Sequence, residues 1–125
     1  MLQYEAKLYE KLAGMPGFPS IEWYGVEGDY NVLVMDILGP SVQNLFDFCE
    51  HNFQIKTVCF LAAQMIARIE AMHSKNFIHR DIKPENFLIG VGKKQNLVHV
   101  IDLGLSKRYK CPKTGKHLEH RKIRN

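Results

Sequence analysis

The sequence predicts an α+β fold organised around one polar loop, and three observations carry that expectation. Apolar residues recur with helical spacing over 2–12 and over 56–74. Short β-prone runs pair across turn residues, 21–25 with 30–35 and 87–89 with 97–101. After the long helical segment comes Ile-His-Arg-Asp-Ile-Lys-Pro-Glu-Asn-Phe-Leu at 78–88, broken by Pro84, which cannot sit inside a regular helix. One domain at most fits in 125 residues, and the 46% apolar content supports a core burying roughly two-thirds of the unfolded chain's surface.

Residues 2–12 place Glu5, Leu8, Tyr9 and Leu12 on one helical face, ended by Gly14 and Pro16. A glutamate on an apolar stripe is unusual, and an edge carboxylate reaching solvent is one of two readings left open for it. Residues 21–25 and 30–35 flank Glu27-Gly28-Asp29 as a hairpin. The second strand is apolar almost throughout, so cover on both faces is expected. Asp36-Ile37-Leu38-Gly39-Pro40 interrupts the pattern, and Ser41 is placed to cap a short helix carrying Val42, Leu45, Phe46 and Cys49. Residues 56–74 form the longest periodic segment, with Val58, Leu61, Ala62, Met65, Ile69 and Met72 along one stripe, the methionines acting as core fillers. Cys49 and Cys59 are expected to join the core. Lys93-Lys94 reads as the solvated tip of the second hairpin, 87–89 with 97–101.

Three cysteines without a CxxC pair argue against a disulfide scaffold and against zinc, and Cys111, His117 and His120 lack a fourth ligand. No apolar run approaches the roughly 18 residues of a membrane span, and no charged-then-apolar leader opens the chain. An intracellular protein of cytoplasm or nucleus is expected, with oligomeric state open. Residues 107–125 carry eight Lys and Arg against Glu119, net +7, whereas residues 1–106 carry nine against twelve acids, net −3. The tail is therefore expected to be flexible. No aromatic stacking series, zinc spacing or heptad accompanies its charge, which argues against nucleic acid as the main partner.

The polar loop carries the chemistry. Asp81 and Asn86 lie five residues apart, with apolar 77–78 and 87–89 anchoring the loop on both sides, and Asp102 follows the 97–101 strand. Singly, Asp81 could be a turn former, Asn86 a turn residue and Asp102-x-Gly104 a tight turn. Jointly they suit phosphoryl transfer from a nucleotide to an alcohol, which needs negative charge neutralised and two oxygens held in line. Asn86 and Asp102 are oxygen ligands of the kind Mg²⁺ takes. Asp81 would position the hydroxyl and accept its proton, and Lys83 supplies a point charge for the transferred phosphate. The spacing His-Arg-Asp-x-x-x-x-Asn matches the protein-kinase catalytic loop.

From about Leu2 to about Lys110 the sequence resembles the casein kinase I family of serine/threonine protein kinases. The resemblance is carried by Glu-Gly-Asp-Tyr-Asn-Val at 27–32, Leu-Gly-Pro-Ser at 38–41, His-Ser-Lys-Asn-Phe-Ile-His-Arg-Asp at 73–81, Gly-Lys-Lys-x-Asn at 92–96 and Ile-Asp-Leu-Gly-Leu at 101–105. It implies a partial bilobal protein-kinase fold. Residues 1–35 would be the end of the N-lobe, 36–40 the hinge, 41–106 the first part of the C-lobe with the catalytic loop, and 107–125 the start of an activation segment. ATP and Mg²⁺ are the implied cofactors. The hinge backbone at Asp36 to Leu38 would hold the adenine edge, Met35 would be the gatekeeper, and Leu88 and Ile101 would lie below the ring, though these apolar residues serve equally well as ordinary core. Glu5 would be the helix C glutamate whose partner is a lysine on the third strand. Leu103 stands where the family usually has Phe, a swap expected to loosen packing near Asp102.

The implied substrates are proteins with Ser or Thr near acidic or already phosphorylated residues. The resemblance also implies a glycine-rich loop and a strand lysine ahead of Glu5, and supporting helices after residue 125, none of them within this sequence. The isolated chain is therefore expected to be inactive. Three readings stay open at this point: a kinase whose chain is incomplete, a non-catalytic kinase-fragment interaction module, and a gene fragment.

Overall fold

Helix α1 (Leu2–Leu12) forms where the apolar stripe predicts it and buries Ala6, Leu8, Tyr9 and Leu12. Each leucine so buried stabilises the fold by about 1.5–3 kcal/mol. The structure, a computed structural model, describes residues 2–111 and 113–117 and has the mixed helix and strand content of an α+β fold. Past α1 the chain turns at Gly14 (φ 93°) and enters strand β1 (Ile21–Glu27), paired antiparallel with β2 (Tyr30–Met35) from Ile21 opposite Met35 to Glu27 opposite Tyr30. The two-residue turn has Gly28 at φ 61°, a conformation that glycine takes without a Cβ penalty.

Cover on both faces of β2 is not what the structure has. Leu33 and Met35 pack against the core under α1, while Val34 is 43% exposed and Tyr30 76% exposed. The sheet holding β2 has two strands, so among the described residues the apolar run has a helix against it and no second layer.

Helix α2 (Val42–Phe48) starts in a capping box. The Ser41 hydroxyl accepts from the Asn44 N–H at 3.0 Å, and the Asn44 side-chain oxygen accepts from the Ser41 N–H at 3.0 Å. The cap satisfies two backbone donors that the first turn would otherwise leave open. Helix α3 (Ile55–Ser74) packs against the strands that follow it, β3 (Phe77–Ile78) and β5 (Val98–Val100), while α2 packs on β4 (Phe87–Ile89). Strands β4 and β5 form an antiparallel pair, and β3 pairs antiparallel with β6 (Lys107–Arg108).

Arg68 of α3 is a core residue that apolar periodicity could not announce. Its Nε donates to the Val98 carbonyl at 2.9 Å, and the neighbouring Gln64 side chain accepts from the Val98 N–H at 2.9 Å and donates to the Asn96 carbonyl at 2.9 Å. These two side chains take the place of a third strand at Val98, pairing both of its outward backbone groups on the edge of β5. Gly17 (φ 80°) lies against the same arginine and accepts from the Val100 N–H at 2.9 Å.

The cysteine expectation is corrected. Cys49 and Cys59 are both exposed. Helix α3 buries the line Leu61, Arg68 and Met72, and Cys59, two residues before Leu61, projects about 200° away from it. Cys49 caps the end of α2 beyond its last buried turn. The basic segment is tied down at its start. Beyond the β3–β6 pairing, the Tyr109 N–H donates to the Asn76 carbonyl at 2.9 Å and its hydroxyl to the His73 carbonyl at 3.0 Å, and Lys110 bridges to His117. Residues 118–125, including His120, lie outside the described residues. Among the described residues no group of three His, Cys, Asp or Glu could hold a metal as a cluster, and no helix is long and apolar enough to cross a membrane.

Candidate active site

The loop after β3 is held by hydrogen bonds at each turn. Arg80 sits in the left-handed region at φ 71°, which costs an L-residue about 1–2 kcal/mol. Its Nε donates to the Leu105 carbonyl at 2.6 Å, a charge-assisted bond that offsets this strain. His79 is fully buried. Its Nδ1 accepts from the Asp81 N–H at 3.1 Å, which puts the hydrogen of the neutral ring on Nε2, where it donates to the Ile101 carbonyl at 2.9 Å. One imidazole thus joins the loop carrying Asp81 to the strand end carrying Asp102.

Lys83 is extended and Pro84 opens a short 3-10 turn, Pro84–Asn86, with its fixed φ pre-set for the first position. The turn swings Asn86 inward, where it is 4% exposed. Its side-chain amide donates to the Asp81 carbonyl at 2.8 Å and to the Asp81 carboxylate at 3.2 Å. Its own carbonyl oxygen therefore points away from Asp81. Lys83 Nζ lies 3.5 Å from the Asp81 carboxylate, in a partly exposed pair. Asp81 is thus flanked by a cation on its open side and an amide donor on its buried side.

Asp102 follows β5 in the left-handed region, at φ 58°. The preceding Ile101 N–H donates to the Asn86 carbonyl at 2.9 Å, and the Asp102 N–H donates to the Tyr9 hydroxyl of α1 at 2.9 Å. Leu103 is fully buried, so the leucine that stands where phenylalanine is usual is seated in the core. A Cβ on Gly104 would lie 3.4 Å from the Glu5 carboxylate and 3.5 Å from that of Asp102, so both carboxylates converge on this glycine. Burial pushes the Glu5 carboxyl above its ordinary range, and the Asp102 charge pushes it further, against the Leu103 N–H that favours the ionised form. Glu5 is half-buried and faces the site, so the solvent reading does not hold. Burial likewise pushes the Tyr9 hydroxyl above its ordinary value, with the Glu5 charge adding to the effect.

These residues meet in a cleft of about 460 Å³. Met35, Asp36 and Leu38 line one side, Leu88 and Ile101 form an apolar floor, and Asn86, Asp102, Glu5 and Tyr9 make the polar end. The six residues named from the sequence for cofactor contact all line the cleft together with Asn86, while Asp81 and Lys83 are not among its lining residues and Asp81 is joined to it through the Asn86 amide. Asp36 anchors the crossing segment, its N–H donating to the Ser20 carbonyl at 3.1 Å and its carboxylate accepting from the Ser20 N–H at 2.9 Å. Gly39 continues it by donating to the Ile89 carbonyl at 2.7 Å. These anchors use Asp36 and Gly39 and skip Ile37 and Leu38.

Tyr9 and His79 are the site residues that sequence reasoning missed as such. Tyr9 reads as part of an apolar stripe and His79 as a motif letter. The signal available in each case was a polar group at a position that must be buried, which requires a hydrogen-bond partner. An apolar slot with carboxylate and amide oxygens at one end suits a flat heterocycle carrying an anionic tail, provided cations neutralise that tail. The family model described as protein kinase domain matches residues 5–122.

Proposed function

This chain belongs to the protein kinase family, and on that premise we propose that its cleft binds ATP with Mg²⁺ and serves transfer of the γ-phosphate to serine or threonine of protein substrates, in the manner of casein kinase I. The observation that carries the reading is the convergence of Asn86 and Asp102 at the polar end of a cleft whose other walls are Met35, Leu38, Leu88 and Ile101. The donor set fits the metal: one carboxylate and one amide carbonyl are hard oxygen ligands that leave room for phosphate oxygens and water. Bound there, Mg²⁺ would neutralise charge on the phosphates.

The geometry supports the following contributions from the protein itself. Apolar Leu88 and Ile101 receive the base, and the backbone of Ile37 and Leu38, which the anchors at Asp36 and Gly39 skip, faces its edge. Asp81, oriented by Asn86, holds the substrate hydroxyl and takes its proton. Lys83, beside Asp81, offers its positive charge to the phosphate in flight. Serine or threonine preference, and acidic or phosphorylated residues near the acceptor, are supported by the resemblance of the 27–32, 38–41 and 92–96 stretches to casein kinase I.

The test is an NMR titration of the Ile101 and Leu103 amides with ATP, with and without Mg²⁺, followed by phosphate transfer to serine peptides with acidic flanks by a full kinase domain containing this segment. Mg²⁺-dependent shifts that vanish in Asp102→Asn are expected. Identical shifts with and without Mg²⁺, or none, overturn the reading.

A further inference from the structure

We propose that a second cavity, between the crossing segment and the turn that follows β4, is a ligand site for a small planar organic acid carrying a hydroxyl, of the hydroxybenzoate class. The cavity measures about 190 Å³ and is walled by Ile37, Gly90, Val91, Lys94 and His99, with Asp36 and Leu38 shared with the cleft. Its size is below that of drug-sized sites, so a single ring with its substituents is what it can enclose. None of Asn86, Leu88, Ile101 or Asp102 lines it, and the proposal stands independently of what the cleft binds.

Hydrogen bonds within the turn build these walls. The Leu97 carbonyl accepts from the Gly90 N–H at 3.0 Å and from the His99 Nδ1–H at 3.0 Å, and the Leu97 N–H donates to the Lys94 carbonyl at 2.9 Å. Lys94 and His99 are thereby drawn to one wall. Only glycine fits at position 90, because a Cβ there would overlap the Lys94 carbonyl oxygen and lie 2.7 Å from Lys94 Cβ and 3.0 Å from His99 Cε1.

What these groups offer decides the chemistry of the ligand. With its hydrogen on Nδ1, the neutral His99 ring has an acceptor at Nε2. The ring is 4% exposed, and burial pushes it below its ordinary value; the Lys94 and Arg68 charges push the same way, against the Leu97 and Leu88 carbonyls. A buried acceptor of this kind calls for an O–H or N–H donor. Lys94 has no ion-pair partner among the described residues, so its ammonium is open to a carboxylate. Asp36, the acid of the wall, accepts from the Ser20 N–H at 2.9 Å and forms no ion pair with Lys94. Ile37 and Val91, 79% and 45% exposed, supply apolar flanks that a flat ring would cover.

The experiment titrates the full chain with meta- and para-hydroxybenzoate, followed by NMR. Saturable shifts of the Gly90 and His99 amides are expected for at least one isomer, with the Ile101 and Leu103 amides little moved. The His99 Nε2 nitrogen is expected to shift with that isomer and not with benzoate, which lacks the donor. Phenol keeps the hydroxyl and lacks the charge, and is expected to bind about tenfold more weakly. Lys94→Ala, an exposed substitution that leaves the backbone bonds of the turn in place, is expected to weaken the hydroxybenzoate by about the same factor. No shift at Gly90 or His99 with either isomer at millimolar concentration overturns the proposal. So do shifts centred on Ile101 and Leu103, which would put the probe in the cleft, and parental affinity in Lys94→Ala. A benzoate shift at His99 Nε2 equal to that of the hydroxybenzoates overturns the part given to the hydroxyl.

Discussion

The side-chain amide of Asn86 donates twice to Asp81, to its backbone carbonyl at 2.8 Å and to its carboxylate at 3.2 Å. One residue thus fixes both where the carboxylate sits and how it turns, while itself lining the cleft. Asn86→Ala removes both bonds and leaves the Asp81 carbonyl short of a donor. Urea unfolding should show a loss of about 1–3 kcal/mol. A midpoint equal to that of the parent would contradict the role assigned to the amide.

The proposed mechanism gives Asp81 and Asp102 different roles, so their amide replacements should differ too. In a full kinase domain containing this segment, Asp81→Asn removes the proton acceptor and should lower phosphate transfer by at least about two decades with little change in Mg²⁺-dependent ATP binding. Asp102→Asn removes a ligand charge and should weaken that binding as well as transfer. Equal losses of binding in both variants would show the roles to be wrongly divided.

Glu5 gives a pH prediction with a definite sign. Its carboxyl is raised by burial and then by the Asp102 charge, so the folded chain holds the proton more tightly than the unfolded chain. That contribution to stability is complete below the unfolded-state value and is lost as pH rises through the folded-state value. At neutral pH the ionised carboxylate therefore opposes folding relative to a neutral side chain. Glu5→Gln, which keeps an acceptor for the Leu103 N–H, should raise the Tm at pH 7 by a few degrees, and the gain should disappear below about pH 4. A parental chain that melts above Glu5→Gln at pH 7 contradicts this.

Gly17 is the turn residue on which the edge of β5 depends. At φ 80° an alanine is strained, and its Cβ would overlap the Arg68 side chain and lie 2.5 Å from the Val98 carbonyl oxygen. Gly17→Ala should destabilise the chain by at least about 2 kcal/mol in urea unfolding, combining backbone strain with displacement of the Arg68 bond. A loss comparable to an exposed surface substitution would mean that Arg68 swings aside freely.

Local rules made much of this protein legible in its sequence. Helix α1 begins and ends at the residues its stripe and its following glycine indicate, β2 and β4 match their apolar runs residue for residue, and Ser41 caps α2. Family membership was equally legible, since the spacing of Asp81, Asn86 and Asp102 is a property of the chain itself, and the family match spans residues 5–122. What only the tertiary structure decided was which faces have neighbours and which polar groups find partners. Val34 is left uncovered, Cys59 points outward, and Arg68 points inward onto Val98. Tyr9 reaches Asp102 across 93 residues of sequence, and His79 reaches the Ile101 carbonyl across 22. Periodicity reports how apolar a face is and turn residues report where the chain bends. Neither reports what stands opposite, because burial and hydrogen bonding are relations between segments that the sequence keeps apart.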